Sequence, residues 1–211
     1  RQLLVLCIVF ASAVSVQAKT LKTAIGLSLP PYIIAEDNSG FEMEIVKAVL
    51  SSKGYDVDPL YVPFARVPKE LAGKTVDAAM TMPADASMEG VCLTDTYITY
   101  QNAAITLAEK ALDIKAIADL GKYSMVAFQN APQYLGKAFG DAAKASPDYN
   151  EVPKQETQVK LLYTGRSEVV VSDIKIFKWY REKVGKEGFV DVKGEPAYST
   201  IFPPTDYVMG F

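Results

Sequence analysis

Residues suited to binding a small anionic or polar molecule stand at the ends of predicted strands. Tyr32 follows Pro30 and Pro31, whose rings stiffen the backbone, so its own ring could form one wall of a pocket. Phe64 could form a second wall, or pack inside its own part of the protein. Arg66 begins a predicted helix, where its charge opposes the helix dipole, and its guanidinium fork suits an anionic ligand group. A surface salt bridge is the competing interpretation of Arg66.

Further polar positions follow later strands. The turn formed by Gln129, Asn130 and Ala131 opens a predicted helix, so its backbone N–H groups could bind a carboxylate, and Asn130 could cap the helix. Asp173 follows a predicted buried strand and precedes a helix, which suits an N-cap as well as a ligand contact. Thr81 opens the loop after a third strand. Because ligands of open α/β sheets sit beyond the carboxyl ends of the strands, these loops are predicted to converge on one cleft.

The sequence contains no histidine, which excludes Ser-His-Asp catalysis and the usual zinc ligand sets. Cys92 therefore has no imidazole base to activate it, and we interpret it as a small buried apolar residue. Glu42 and Glu44 begin a predicted helix, where the dipole favours carboxylates, so they need no catalytic explanation. We expect neither catalysis nor a cofactor nor a metal site.

The elements that would position these residues alternate between strands and helices. In the first part of the chain, strands are predicted over 22–29, 57–62 and 76–80, and helices over 41–53 and 66–71. In the second part, strands are predicted over 102–107, 124–129 and 168–171, and helices over 112–120, from Asn130 onward, 155–162 and 174–184. This alternation predicts two α/β units, each a mostly parallel sheet flanked by helices. Since no flexible linker separates them, the chain is predicted to cross between them through structured strands near 102–107 and 197–202.

The N-terminal segment has the pattern of a signal peptide. Its only charge is Arg1, Leu3 to Val14 is apolar except for Ser12, and Ala18 is a small residue at the expected cleavage site. The apolar run is shorter than the ~20 residues of a spanning helix, so a retained anchor is the weaker interpretation. With a formal net charge of −3, the chain lacks the basic footprint of nucleic-acid binding.

Five segments, in this order, resemble family 3 of the bacterial extracellular solute-binding proteins, which includes the amino-acid receptors of ABC transporters. They are Leu29-Pro30-Pro31-Tyr32, Gly40-Phe41-Glu42-Met43-Glu44, Gly73-Lys74-Thr75-Val76-Asp77-Ala78-Ala79, Leu93-Thr94-Asp95-Thr96-Tyr97 and the stretch from Leu162 to Asp173. Each motif alone is unspecific, but together they span most of residues 24–207.

The resemblance implies the type II periplasmic binding fold, in which two lobes joined by two crossing strands close around a ligand. We assign residues 1–18 to the signal peptide, 19–103 to lobe 1, 104–196 to lobe 2 and 197–211 to the second crossing and the return to lobe 1. Family members usually continue beyond this point, so the C-terminal part of lobe 1 is expected to be incomplete.

The resemblance also implies roles for individual residues. An aromatic residue at the position of Tyr32 lines the family's pocket, and the aspartate matching Asp173 binds the ammonium group of an amino-acid ligand. The arginine that grips the ligand carboxylate is replaced here by Ser87. Either Arg66 supplies the missing charge from another loop, or the ligand is not an ordinary amino acid.

The implied function is a monomeric periplasmic receptor that captures a small polar, amino-acid-like solute for an ABC permease. A second hypothesis is a sensor that presents its liganded form to a membrane signalling protein. A third and weaker hypothesis is a dehydratase or lyase on the same fold, which would need a cleft carboxylate with a raised pKa.

Overall fold

The structure is a computed structural model that describes residues 18–84, 86–188 and 190–211. Of the predicted signal peptide, all but Ala18 lies outside the described residues. The strands are β1 (Lys19–Gly26), β2 (Tyr55–Val62), β3 (Ala78–Pro83), β4 (Ile98–Tyr100), β5 (Asn102–Leu107), β6 (Met125–Phe128), β7 (Tyr149–Val152), β8 (Val169–Asp173), β9 (Pro196–Ser199) and β10 (Thr205–Gly210). The α-helices are α1 (Phe41–Ser51), α2 (Val67–Ala72), α3 (Ala131–Ala145), α4 (Gln155–Tyr163) and α5 (Ile174–Glu187).

Two five-stranded sheets, each flanked by helices, form two lobes. Lobe 1 has the strand order β2-β1-β3-β10-β4, and lobe 2 has the order β7-β6-β8-β5-β9. In lobe 1, β1 runs parallel to β2 and β3, while β10 is antiparallel to both of its neighbours. In lobe 2, β6 runs parallel to β7 and β8, while β5 is antiparallel to β8 and β9. The predicted two-lobed α/β fold is confirmed.

Each lobe has its own core on both faces of its central strands. All five residues of β8 are buried, as are five of the six in β3, because helices cover both sheet faces. The predicted helix over 112–120 is wrong: the described chain there forms only a 3₁₀ helix, Ile117–Lys122. Ile114 and Leu120 are both buried in the core of lobe 2, and because they are six residues apart, one continuous helix would point them about 120° away from each other.

The strands change sheet at Gln101, between β4 and β5, and again between Ser199 and Thr205. The Nε2 group of Gln101 donates to the backbone oxygen of Phe202 at 2.9 Å, so the two crossings are hydrogen-bonded to each other. The assignment of 19–103, 104–196 and 197–211 stays a prediction.

Cys92 is exposed, so its predicted burial is wrong. Its backbone pairs with Phe211 through two N–H···O bonds of 2.9 Å, at the edge of lobe 1 where one side of the chain faces solvent. Among the described residues, we find no helix whose length and apolarity would suffice to cross a membrane.

Candidate functional site

The loop that carries Tyr32 is fixed to the first turn of α1. The N–H groups of Phe41 and Glu42 donate to the carbonyl oxygens of Pro31 and Tyr32, each at 3.1 Å. Gly40 makes this approach possible, because a Cβ atom there would lie 2.3 Å from the carbonyl oxygen of Tyr32 and its φ is 110°. The Gly-Phe-Glu motif therefore positions both Tyr32 and Glu42.

Glu42 is fully buried under the cleft and accepts hydrogen bonds from three hydroxyl groups. Oε1 accepts from Thr81 Oγ1 at 2.7 Å and from the Tyr97 hydroxyl at 2.5 Å, and Oε2 accepts from the Tyr100 hydroxyl at 2.6 Å. Its place in the first turn of α1 adds the favourable field of the helix dipole. These three hydroxyls and the helix N-terminus compensate a buried carboxylate that would otherwise be costly.

Thr81 is held in an unusual backbone conformation by this network. Its φ is 56°, in the left-handed region that β-branched residues rarely adopt. Its N–H donates to the Tyr97 hydroxyl oxygen at 2.9 Å while its own hydroxyl donates to Glu42. Because both groups point inward, the side chain of Thr81 serves the Glu42 network and lies beneath the cleft surface.

The tyrosines around the two buried carboxylates share raised pKa values. Burial is the first cause for Tyr97 and Tyr100, followed by the negative charge of Glu42 and the hydrogen bond to it. Burial also raises the pKa of Tyr32, and the charge of Asp173 raises it further. Each of these hydroxyls therefore stays protonated and acts as a donor to its carboxylate.

Asp173 is buried where β8 meets α5 and accepts four hydrogen bonds. Oδ1 accepts from the N–H groups of Lys175 and Ile176 at 2.8 and 3.1 Å. Oδ2 accepts from the Gln101 N–H at 2.9 Å and from the Tyr32 hydroxyl at 3.0 Å. The N-cap interpretation of Asp173 is confirmed, and the same carboxylate joins lobe 2 to a crossing residue and to lobe 1.

The start of α5 packs directly on lobe 1. Ile176 is buried within the apolar cluster that contains Tyr32, Ile33 and Met43 of lobe 1. The ammonium group of Lys175 lies 5.9 Å from the centre of the Tyr32 ring. The lobes are thus held together on this side by an apolar contact, a hydrogen bond and a cation–π contact.

Aromatic side chains of both lobes meet at the mouth of the cleft. The ring centre of Phe64 in lobe 1 lies 6.0 Å from that of Tyr134 in lobe 2 and 6.3 Å from that of Tyr207. Phe128 lies 6.3 Å from Tyr134. Tyr207 also contacts Tyr100, at 4.9 Å, which connects the mouth to the Glu42 network.

The two predicted aromatic residues, Phe64 and Tyr32, differ in how accessible they are to a ligand. Phe64 is half-buried at the mouth, where a ligand could meet it. Tyr32 is fully buried and stacks on Tyr100 with ring centres 3.7 Å apart, so in this arrangement of the lobes its ring is not an open wall. It would reach a ligand after the lobes have separated.

Arg66 and Ser87 are the two positions that we considered for binding a ligand carboxylate. Arg66 forms the end of a 3₁₀ turn and donates from Nη2 to Glu70 Oε1 at 2.5 Å, with 62% of its side chain exposed. The Glu70 carboxylate is further bonded by Thr75, and this bond and that of Arg66 lower the pKa of Glu70. Ser87, at the position of the family's arginine, is exposed. The salt-bridge interpretation of Arg66 is confirmed.

The turn before α3 offers fewer free amides than its sequence suggests. The Asn130 N–H donates to Glu151 Oε2 at 2.6 Å, and the Gln133 N–H donates back to the Asn130 carbonyl. Asn130 has a φ of 62° and its side chain makes no capping bond, so the cap prediction is wrong. Gln129 and Asn130 are exposed and Ala131 is buried. Their predicted ligand contacts stay predictions.

Sequence reasoning did not select Glu42, Tyr134 or Tyr207 as site residues. Glu42 was explained by the helix dipole alone, and its partners are 39 to 58 residues away in sequence. Tyr134 lies in the first turn of α3, is 47% exposed, and is followed by Gly136, whose φ of 82° interrupts the helix. The signal in the sequence was Gly136, which stands five residues after the start of the helix and is disfavoured in a helix interior.

The comparisons with known proteins agree with the fold. No family model and no curated protein matches the sequence. Among solved structures, the GluR0 ligand-binding core in complex with L-glutamate is 15% identical, with a TM-score of 0.69 over 92% of this chain and 85% of that one. A histidine kinase sensor domain similar to periplasmic binding proteins is 14% identical, with a TM-score of 0.68 over 92% and 82%.

A third similar structure is an ABC uptake transporter substrate-binding protein from Streptococcus pneumoniae with bound histidine. It is 17% identical, with a TM-score of 0.65 over 90% of this chain and 78% of that one. The chain therefore has the fold of the solute-binding proteins that its motifs resemble. Within the described ranges, no group of three or more Asp, Glu or Cys residues is arranged to hold a metal ion.

Proposed function

We propose that this protein is a periplasmic receptor that captures a small polar solute between its lobes and delivers it to an ABC permease. The observation that carries the proposal is the meeting of the two lobes at the aromatic mouth, where Phe64 faces Tyr134 at 6.0 Å above two buried, hydrogen-bonded carboxylates. Several proteins with the same fold bind single amino acids, including arginine and glutamine. Our site set comprises Phe64 at the mouth, Arg66, Gln129, Asn130 and Ala131 on loops after strands, and Tyr32, Thr81 and Asp173, which are buried.

The burial and the hydrogen bonds of Glu42 and Asp173 support binding without catalysis. A general acid must reach its substrate, and Glu42 has no exposed surface and already serves three donors. Asp173 holds a helix end and a lobe contact. One structure of the same fold is an amino-acid-binding precursor of a dehydratase, which supports binding as the simpler activity here.

The test is a ligand screen of the chain without residues 1–18, by thermal unfolding and calorimetry. Amino acids, dicarboxylates, polyamines and small peptides form the panel. A cleft ligand at a hundredfold excess over Kd should stabilise the folded protein by ~2.7 kcal/mol. Phe64→Ala should weaken binding, whereas Trp179→Ala, on an exposed face of α5, should not. If no small molecule stabilises the protein, the receptor proposal fails.

A sensor role is the second candidate, because a histidine kinase sensor domain has the same fold. Both roles need ligand binding, and they differ in the partner. A pull-down with the liganded and ligand-free protein, scored for transporter subunits against signalling proteins, separates them. Ligand-dependent capture of a signalling protein would favour the sensor.

A further inference from the structure

The ring of Tyr134 bridges the two lobes at the mouth of the cleft. It meets Phe64 of lobe 1 edge to face, with ring centres 6.0 Å apart at 65°, and its centre lies 6.3 Å from that of Phe128 in its own lobe. Aromatic rings at these distances are in direct contact. A solute therefore cannot pass between Phe64 and Tyr134 until the two rings have separated.

Gly136 divides α3 into two parts just after Tyr134. Its φ of 82° and ψ of −178° are not helical, so residues 131–135 and 137–145 are separate helical segments. Glycine is the residue that adopts this combination readily. A Cβ atom at Gly136 would meet no atom from elsewhere in the protein within 4 Å, so the backbone conformation, and not a lack of space, is what requires glycine. Gly136 thus forms a joint between the two segments.

The two segments of α3 are anchored to lobe 2 to different degrees. Three residues of the second segment are buried in the core of lobe 2: Phe139, Ala142 and Ala143. In the first segment only Ala131 is buried, and Tyr134 is 47% exposed. A rotation about Gly136 would therefore move Tyr134 with little disturbance of the core.

A second contact between the lobes is buried. The Tyr32 hydroxyl donates to Asp173, and neither side chain is accessible from outside while the lobes stay together. Phe64 is half-buried and Tyr134 is exposed, so solvent reaches both of them. The contact between Phe64 and Tyr134 is therefore the first that an entering solute meets.

We propose that Tyr134 is a gate, which holds the mouth of the cleft shut against Phe64 until it swings about Gly136 to admit a solute. This inference rests on the receptor function proposed above and concerns the regulation of the same cleft. With such a gate only the open fraction of the molecules binds, so the gate lowers the association rate in proportion to that fraction.

A double-mutant cycle tests the contact without any solute. Phe64→Ala, Tyr134→Ala and the double variant are compared with the wild type by urea unfolding of the chain from residue 19 onward. We expect non-additive effects, with a coupling equivalent to an about two- to tenfold change in the unfolding equilibrium constant, as for other edge-to-face pairs. The control cycle combines Phe64→Ala with Trp179→Ala, an exposed aromatic residue of α5 outside the mouth, and should be additive.

Gly136→Ala tests the joint. Alanine is strained at a φ of 82°, so the first segment of α3 should be displaced and the coupling between Phe64 and Tyr134 should be lost. Gly140→Ala is the matched control in the same helix, because its added Cβ atom would lie at an ordinary contact distance of 3.7 Å from Pro132. In that background the coupling should persist.

The effect on entry is measured by stopped-flow mixing with a solute that the calorimetric screen identifies. Association with Tyr134→Ala should be about two- to tenfold faster than with the wild type, because a larger fraction of the molecules is open. Trp179→Ala should associate at the rate of the wild type.

Additive effects of Phe64→Ala and Tyr134→Ala would mean that the two rings are apart in solution and would overturn the inference. Coupling with an unchanged association rate would overturn it too, since the contact would then not limit entry. Coupling that persists in a folded Gly136→Ala variant would exclude the joint. If no solute binds, the receptor function fails, while the double-mutant cycle alone still decides whether Tyr134 holds the mouth shut.

Discussion

The two buried carboxylates, Glu42 and Asp173, are compensated by hydrogen bonds from different parts of the protein. Both lie in or next to the first turn of a helix and both accept several hydrogen bonds. Every donor to Glu42 is a side-chain hydroxyl of lobe 1. Asp173 accepts from two amides of its own helix, one amide of a crossing and one hydroxyl of the other lobe.

Because their donors differ, Glu42 affects the stability of lobe 1, whereas Asp173 affects the movement of the lobes relative to each other. The Glu42 network lies entirely within one lobe, so opening the cleft does not disturb it. Asp173 has one partner, Tyr32, on the opposite lobe, so opening must break that bond while its three amide bonds can persist. Lobe 1 is therefore internally fixed by Glu42, and the relation of the lobes depends on Asp173.

The largest effect should come from removing Glu42. Glu42→Ala would leave the hydroxyls of Thr81, Tyr97 and Tyr100 without their acceptor, and we expect the free energy of unfolding to fall by about 3–4 kcal/mol. Glu44→Ala is the control, because Glu44 is exposed on the same turn and should change stability by less than about 0.5 kcal/mol. Urea unfolding measures both. Similar losses in the two variants would contradict the structural role of Glu42.

A smaller and more specific effect should follow from removing the lobe contact. Tyr32→Phe deletes only the hydroxyl that donates to Asp173, and Tyr100→Phe deletes only one that donates to Glu42. Each should lower the free energy of unfolding by about 1–2 kcal/mol. Only Tyr32→Phe should raise the radius of gyration of the ligand-free protein in small-angle X-ray scattering. Equal radii of the two variants would remove the distinction between the carboxylates.

The same contrast explains what the sequence could predict. Asp173 was found because a buried strand, a capping residue and an amphipathic helix follow one another within a few residues. The other predicted strands and helices were also found from signals within a few residues of each other, except for the helix wrongly predicted at 112–120. The strands β4, β7 and β10 were not predicted, and β4 and β7 have only three and four residues, so they depend on their neighbours.

The Glu42 network and the ring contacts of Phe64 with Tyr134 and Tyr207 could not be predicted in this way. Their members come from loops and strands far apart in sequence, and their pairing follows from the packing of the sheet. Tyr207 reaches the cleft only because β10 inserts between β3 and β4 in lobe 1. Arg66 was misleading for the opposite reason: its partner Glu70 is one helical turn away, a spacing at which ion pairs are common.

The smallest effect concerns the pKa of Tyr207, which the charges of both Glu42 and Asp173 raise. Its pKa is raised to about 12 in the folded protein, from 10.0, chiefly by burial and next by Glu42. Between these two values the folded state keeps a proton that the unfolded state releases, so the stabilisation is complete below pH 10 and is lost as the pH rises through about 12. The free energy of unfolding of Tyr207→Phe should therefore fall less steeply over this range than that of the wild type.

Tyrosinate absorbance in a pH titration, taken as the difference between wild type and Tyr207→Phe, isolates this residue. Because Glu42 raises the pKa of Tyr207 more than Asp173 does, Glu42→Gln should lower that pKa further than Asp173→Asn. A larger decrease in Asp173→Asn would mean that the cleft field comes mainly from the lobe junction. The electrostatic field at Tyr207 would then change whenever the lobes separate, rather than staying fixed within lobe 1.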